Sequence, residues 1–100
     1  MKREAMEWLD RFERYLVTER RVSPNTVSSY RRQLRALREF CEANQLDHWP
    51  DVDVGQIRTF LARSSAGGLA PQSVQHRLSA MRSFFQFLIR EGVLAANPAK

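Results

Sequence analysis

The sequence predicts an all-helical domain, a compact bundle of four main helices, and three observations carry that prediction. Apolar residues recur at helical spacing in four separate segments. Start signals precede three of those segments: Ser23-Pro24, Asp53 and Ala70-Pro71. No stretch shows the period-two alternation or the Val/Thr-rich composition of strands.

The first segment runs from Arg3 to Arg20. Ala5, Trp8, Leu9, Phe12, Tyr15 and Leu16 share one side, and Glu7, Asp10, Arg11 and Arg14 occupy the rest of the circumference. This is a packing helix. The second begins at Ser23-Pro24, where a hydroxyl can cap free backbone amides and proline takes the first helical position at little cost. Val27, Tyr30, Leu34, Leu37, Phe40 and Cys41 then form a stripe that ends near Asn44.

Asp53 is placed to cap a third, shorter helix carrying Val54, Ile57, Phe60 and Leu61, expected to stop before the loop Ser64-Ser65-Ala66-Gly67-Gly68. The fourth starts at Ala70-Pro71 and runs to Glu91, with Gly92 as the left-handed residue that ends it. Its apolar arc holds Val74, Leu78, Met81, Phe84, Phe85, Leu88 and Ile89, with Phe87 expected off the stripe and exposed. At 1.5 Å rise per residue, the second and fourth helices each reach about 30 Å. These two also match at an offset of 47 residues, Ser23-Pro24-Asn25-Thr26-Val27 against Ala70-Pro71-Gln72-Ser73-Val74.

With 100 residues, 43% of them hydrophobic, the chain can build one modest core without metals or cross-links. Residues 1–96 are expected to form that domain, and 97–100 to begin a linker, because Asn97-Pro98 disfavours further helix. The lone Cys41 has no partner for an internal disulfide, and no apolar run suggests secretion or a membrane span. A reducing, cytoplasmic setting is expected.

Sixteen Lys and Arg against eleven Asp and Glu leave a net charge of +5, which directs attention to polyanionic partners. Its distribution is more informative than its sum. From Val54 to Arg90 there is no acidic residue, and Arg58, Arg63, Arg77, Arg82 and Arg90 fall in that stretch. On the second helix the apolar stripe is opposed by an arc with Ser28, Arg31, Arg32 and Arg35 near its start, and Glu39 and Glu42 only later. Arginines at a helix amino end attract anions by point charge and by dipole.

The outward arc of the fourth helix holds Gln72, Gln75, His76, Ser79, Arg82, Ser83, Gln86 and Arg90, with no acid and no long apolar group. Small serines let a backbone approach a groove, and Gln and Arg can hydrogen-bond base edges or phosphates. The expected nucleic-acid contacts are therefore Thr26, Ser28, Arg31, Arg32 and Arg35 on one helix and Ser73, Gln75, His76, Ser79 and Arg82 on the other. Arg77 falls inside the apolar arc, either snorkelling to the surface or reaching a phosphate from its edge. The alternative for the same basic faces is a protein–protein module that pairs them with an acidic partner.

Nothing in the residues points to chemistry. Tyr15 and Tyr30 sit on apolar stripes, His48 and His76 lack Cys or His at ligand spacing, and Gly67-Gly68 lacks the Lys-Ser/Thr of a phosphate loop. No catalytic residue, metal or cofactor is expected. A transcriptional helix-turn-helix is disfavoured, since its helices join by about 3–4 residues, and both connections here, Gln45 to Val52 and Ser64 to Ala70, are longer.

Two strings nevertheless identify a family. Ser23-Pro24-Asn25-Thr26-Val27 with Tyr30-Arg31-Arg32 and Leu34 resembles the first signature of the core-binding domain of tyrosine recombinases and phage integrases. Ser73, Arg77-Leu78-Ser79-Ala80, Arg82-Ser83-Phe84-Phe85, Phe87-Leu88, Gly92 and Asn97-Pro98-Ala99 resemble the second. Leu46, Trp49 and Asp53 are closest to the XerC branch.

The resemblance covers essentially the whole chain and implies a SAM-like four-helix domain. In the family such a domain joins a larger carboxy-terminal catalytic domain in a clamp around duplex DNA, with the second and fourth helices facing the major groove. The family's catalytic arginines, lysine, histidines and nucleophilic tyrosine lie in that other domain, and none maps to a position here. The implied partners are a duplex recombination site and, in the full-length setting, a XerD-like recombinase. The 100-residue piece itself is expected to be monomeric.

Overall fold

The computed structural model describes residues 1–100 and contains four α-helices and no strand. In chain order they are α1 (Arg3–Thr18), α2 (Pro24–Ala43), α3 (Val54–Ala66) and α4 (Pro71–Arg90), with one 3₁₀ turn at Trp49–Asp51 between α2 and α3.

Local chemistry sets most of the boundaries. The Ser23 hydroxyl accepts from the Thr26 amide at 3.2 Å, and Pro24 opens α2. α2 closes where the Asn44 side-chain amide donates to Phe40 O and Gln45 takes φ +56°. Asp53 and Gln56 form a reciprocal capping box at α3, each side chain accepting the other residue's backbone N–H at 2.8 Å. At the end of α4, Gly92 adopts φ +81°, and Val93 N–H returns to Leu88 O at 2.8 Å.

α2 and α4 pack against each other, and α1 and α3 cover them from the sides. The centre is aromatic. Phe12 of α1 lies 5.4 Å from both Phe84 and Phe87 and stacks on Tyr30 of α2. Leu37, Cys41, Met81, Phe84, Phe85 and Leu88 are fully buried. Trp49 plugs the end of this core: it is 1% exposed, meets Phe84 edge-on at 4.8 Å and donates from Nε1 to Ala5 O at 2.7 Å. The 3₁₀ turn is thereby tied to the first turn of α1.

Two expectations require correction. α3 does not stop before Ser64 but continues through Ala66. The Ser64 hydroxyl donates back to Phe60 O at 2.8 Å, so a small polar residue that favours loops elsewhere is absorbed by the helix. Phe87 is not exposed. It is 7% accessible and lies against Trp8, Phe12 and Tyr15. Phe87 sits at the edge of the apolar arc of α4, and α1 widens the buried zone to include it.

The segment after Gly92 also packs on the bundle. Pro98 and Ala99 are buried, and Asn97–Ala99 lie against α4 at Arg82.

Candidate nucleic-acid interface

On α2 the basic residues divide by position around the helix. Arg31 points to the side covered by α1, where its Nη2 is ion-paired with Glu13 Oε1. Arg38, two turns further on, approaches Glu42 at 3.5 Å. Arg32 and Arg35 are exposed and make no hydrogen bond or ion pair with the rest of the chain. Ser28 is half-buried beside them, and Thr26 is engaged in the cap, its hydroxyl 3.0 Å from that of Ser23. The second helix thus offers two free guanidinium groups rather than four.

On α4, Gln75, His76 and Ser79 are exposed and unengaged, and Ser73 is half-buried in the first turn. No side chain caps that turn, because Ala70 stands where α2 has Ser23. The repeat between the two helix starts therefore does not extend to capping. Unsatisfied amides and the positive end of the helix dipole add to the positive potential here. Arg82 is exposed but occupied: its Nε donates to Ala99 O at 3.0 Å. Arg90 leaves the free arc as well, pairing with Glu19 and Glu91 and lying 4.8 Å above the Tyr15 ring.

Arg77 is neither free nor snorkelling. Its Nε donates to Gln33 of α2, its Nη1 donates to Ser64 of α3, and its guanidinium lies over the Phe60 ring. Burial without a neighbouring carboxylate lowers its pKa. One residue on α4 thus holds α2 and α3 together. Its place inside an apolar arc was the only signal of this role in the sequence. Glu13 gave no signal at all, since its partner lies on another helix.

Tyr15 and Tyr30 are half-buried against Phe87 and Phe12. Nowhere do three or more His, Cys, Asp or Glu side chains gather as metal ligands do. No helix is long and apolar enough to cross a membrane.

Residues 9–92 match the family described as phage integrase, N-terminal SAM-like domain. The chain belongs to this family. Over 92 residues it is 51% identical to the tyrosine recombinase XerC of Yersinia pestis, a match that covers 92% of this chain and 30% of that protein. It is 46% identical over 92 residues to the tyrosine recombinase XerC of Escherichia coli K12, covering 92% of this chain and 31% of that one. The SAM-like domain is therefore of the XerC type and spans just under a third of those recombinases' length. The match is to the family's amino-terminal domain, not to a catalytic one. No solved structure matches the chain.

Proposed function

We propose that this SAM-like domain binds duplex DNA as the amino-terminal clamp of a XerC-like tyrosine recombinase. The complete protein would act in the cytoplasm on a short recombination site, together with a XerD-like partner, in site-specific recombination that resolves chromosome dimers. Its chemistry would be metal-free transesterification through a phosphotyrosine link, carried by a catalytic domain of the kind described for the family.

One observation carries the DNA reading. The two central helices share a buried core, yet their exposed arcs present Arg32, Arg35, Gln75, His76 and Ser79 with no partner inside the molecule. Cationic and amide side chains without internal partners suit phosphate and base-edge contacts. Ser28 and Ser73 flank this set, Thr26 contributes through the helix start, and Arg31 and Arg82 stand at its margins, each already holding an internal partner. The protein–protein alternative is weakened, because Phe87, the large apolar group expected on the surface, is buried.

The test is fluorescence anisotropy with a duplex carrying a recombination site, titrated over a range of salt. If about four to six phosphates are neutralised, the log-log slope should be about −4 to −5. Replacing Arg31, Arg32 and Arg35 together should flatten it. A slope unchanged by that triple substitution, or retention by an acidic protein partner without any affinity for duplex, overturns the reading.

A further inference from the structure

The segment after α4 closes on Arg82 through three hydrogen bonds that interlock. Asn97 Nδ2 donates to Arg82 O at 3.1 Å, Arg82 Nε donates to Ala99 O at 3.0 Å, and Ala99 N–H donates to Asn97 Oδ1 at 2.9 Å. Lys100 N–H then turns back to Asn97 O at 3.4 Å. Pro98 and Ala99, the two residues enclosed by these bonds, are buried.

We infer that Asn97 and Arg82 form a latch that fixes where, and in which direction, the polypeptide leaves the domain. Arg82 is therefore a positioning residue whose first task is to hold the tail. The chemistry of Asn97 fits the role. A carboxamide donates to the helix carbonyl and accepts from the Ala99 amide at the same time, whereas a carboxylate offers no donor and alanine neither group. Proline after it presets the turn that brings Ala99 O under Arg82 Nε. In a recombinase that carries this domain at its amino end, everything downstream hangs from residue 100. A rigid exit would set the angle between two halves of a clamp, and a loose one would leave that angle to diffusion. The inference rests on bonds within the chain and stands whether or not α4 meets DNA.

The experiment uses the 100-residue chain. Backbone relaxation should show the Ala99 and Lys100 amides as rigid as those of α4, with the Ala99 amide slow to exchange. Asn97→Ala should make both amides mobile and abolish the slow exchange, and Arg82→Ala should do the same to a lesser degree, since the Asn97 bond to the Arg82 carbonyl survives. Arg82→Gln provides the control, because its Nε2 stands where the arginine Nε stood while the charge is gone. It should keep the tail rigid.

Nitroxides on Val17→Cys and Lys100→Cys should give a narrow distance distribution that broadens in Asn97→Ala. Buried Cys41 should escape labelling. Melting temperature should fall only slightly, by the loss of the tail's own bonds and burial, and the α4 amides should stay protected in every variant. A tail as rigid in Asn97→Ala as in the unaltered chain overturns the latch, and so does an Arg82→Gln tail as mobile as that of Arg82→Ala.

Discussion

Arg31 of α2 is ion-paired across the helix interface with Glu13 of α1, although no acidic residue lies near it on its own helix. The pair is roughly half exposed on the arginine side, so its contribution to stability is small. Its greater consequence is electrostatic, because it withdraws one positive charge from the surface proposed to meet DNA. Glu13→Gln should release Arg31, tighten duplex binding and steepen the salt slope by about 1. Anisotropy at several salt concentrations measures this, and weaker binding would contradict it.

Arg32 and Arg35 have no internal partner, so they should carry the phosphate contacts of α2. Arg32→Ala and Arg35→Ala together should flatten the slope by about 2, with similar losses on cognate and random duplex. Arg31→Ala alone should do less than either. A larger loss for Arg31→Ala would reverse the ranking.

Arg77 should behave as a structural residue. Removing its charge-assisted bonds to Gln33 and Ser64 should destabilise the domain by about 1–3 kcal/mol. The salt slope of the remaining folded protein should not change. Urea denaturation reads the first effect and anisotropy the second. A flattened slope at wild-type stability would mean a phosphate contact instead.

Trp49 is the only tryptophan in the core, and it carries the one fully buried side-chain hydrogen bond. Trp49→Phe should cost about 0.5–1.5 kcal/mol for the lost bond, since the Ala5 carbonyl loses its second donor but still accepts within α1. Trp49→Ala adds a cavity and should cost about 3–5 kcal/mol. Denaturant midpoints give both values. A Trp49→Phe midpoint equal to that of the unaltered domain would show that the hydrogen bond adds nothing.

Cys41 is buried at the end of the α2 stripe, and burial pushes its thiol pKa up to about 11. Native protein at pH 8 should resist thiol reagents that label the unfolded chain at once. The sign of the pH dependence follows. Above pH 9 the unfolded thiol loses its proton while the folded one keeps it, so this contribution to stability is complete below pH 9 and is lost as pH rises towards 11. Cys41→Ser or Cys41→Ala should remove that part of the alkaline decline; an identical decline in both variants would assign it to other groups.

Much of this molecule follows from neighbours in sequence. Ser23-Pro24, Asp53 with Gln56, and Gly92 act within one or two turns, so the helix boundaries they set are legible without a fold. α3 is the exception: Ser64 is small and polar, which in sequence signals a loop, yet the helix runs on through Ala66. What keeps Ser64 helical is its bond to Phe60 O and the Arg77 guanidinium arriving from α4. Phe87 is buried for a similar reason: helical periodicity shows where an arc is centred but not how far a neighbouring helix extends its burial.

The chain's own residues determined that there are four helices, which sides of them are apolar, that positive charge gathers on α2 and α4, and which family it belongs to. Each of these depends on residue type and on spacings of a few positions. Only the tertiary structure decided which arginines remain free. Arg31, Arg77, Arg82 and Arg90 each meet a partner 13 or more residues away, on another helix, just past the end of α1 or in the tail. An ion pair or hydrogen bond depends on distance in space, and that distance is fixed only once the helices have packed.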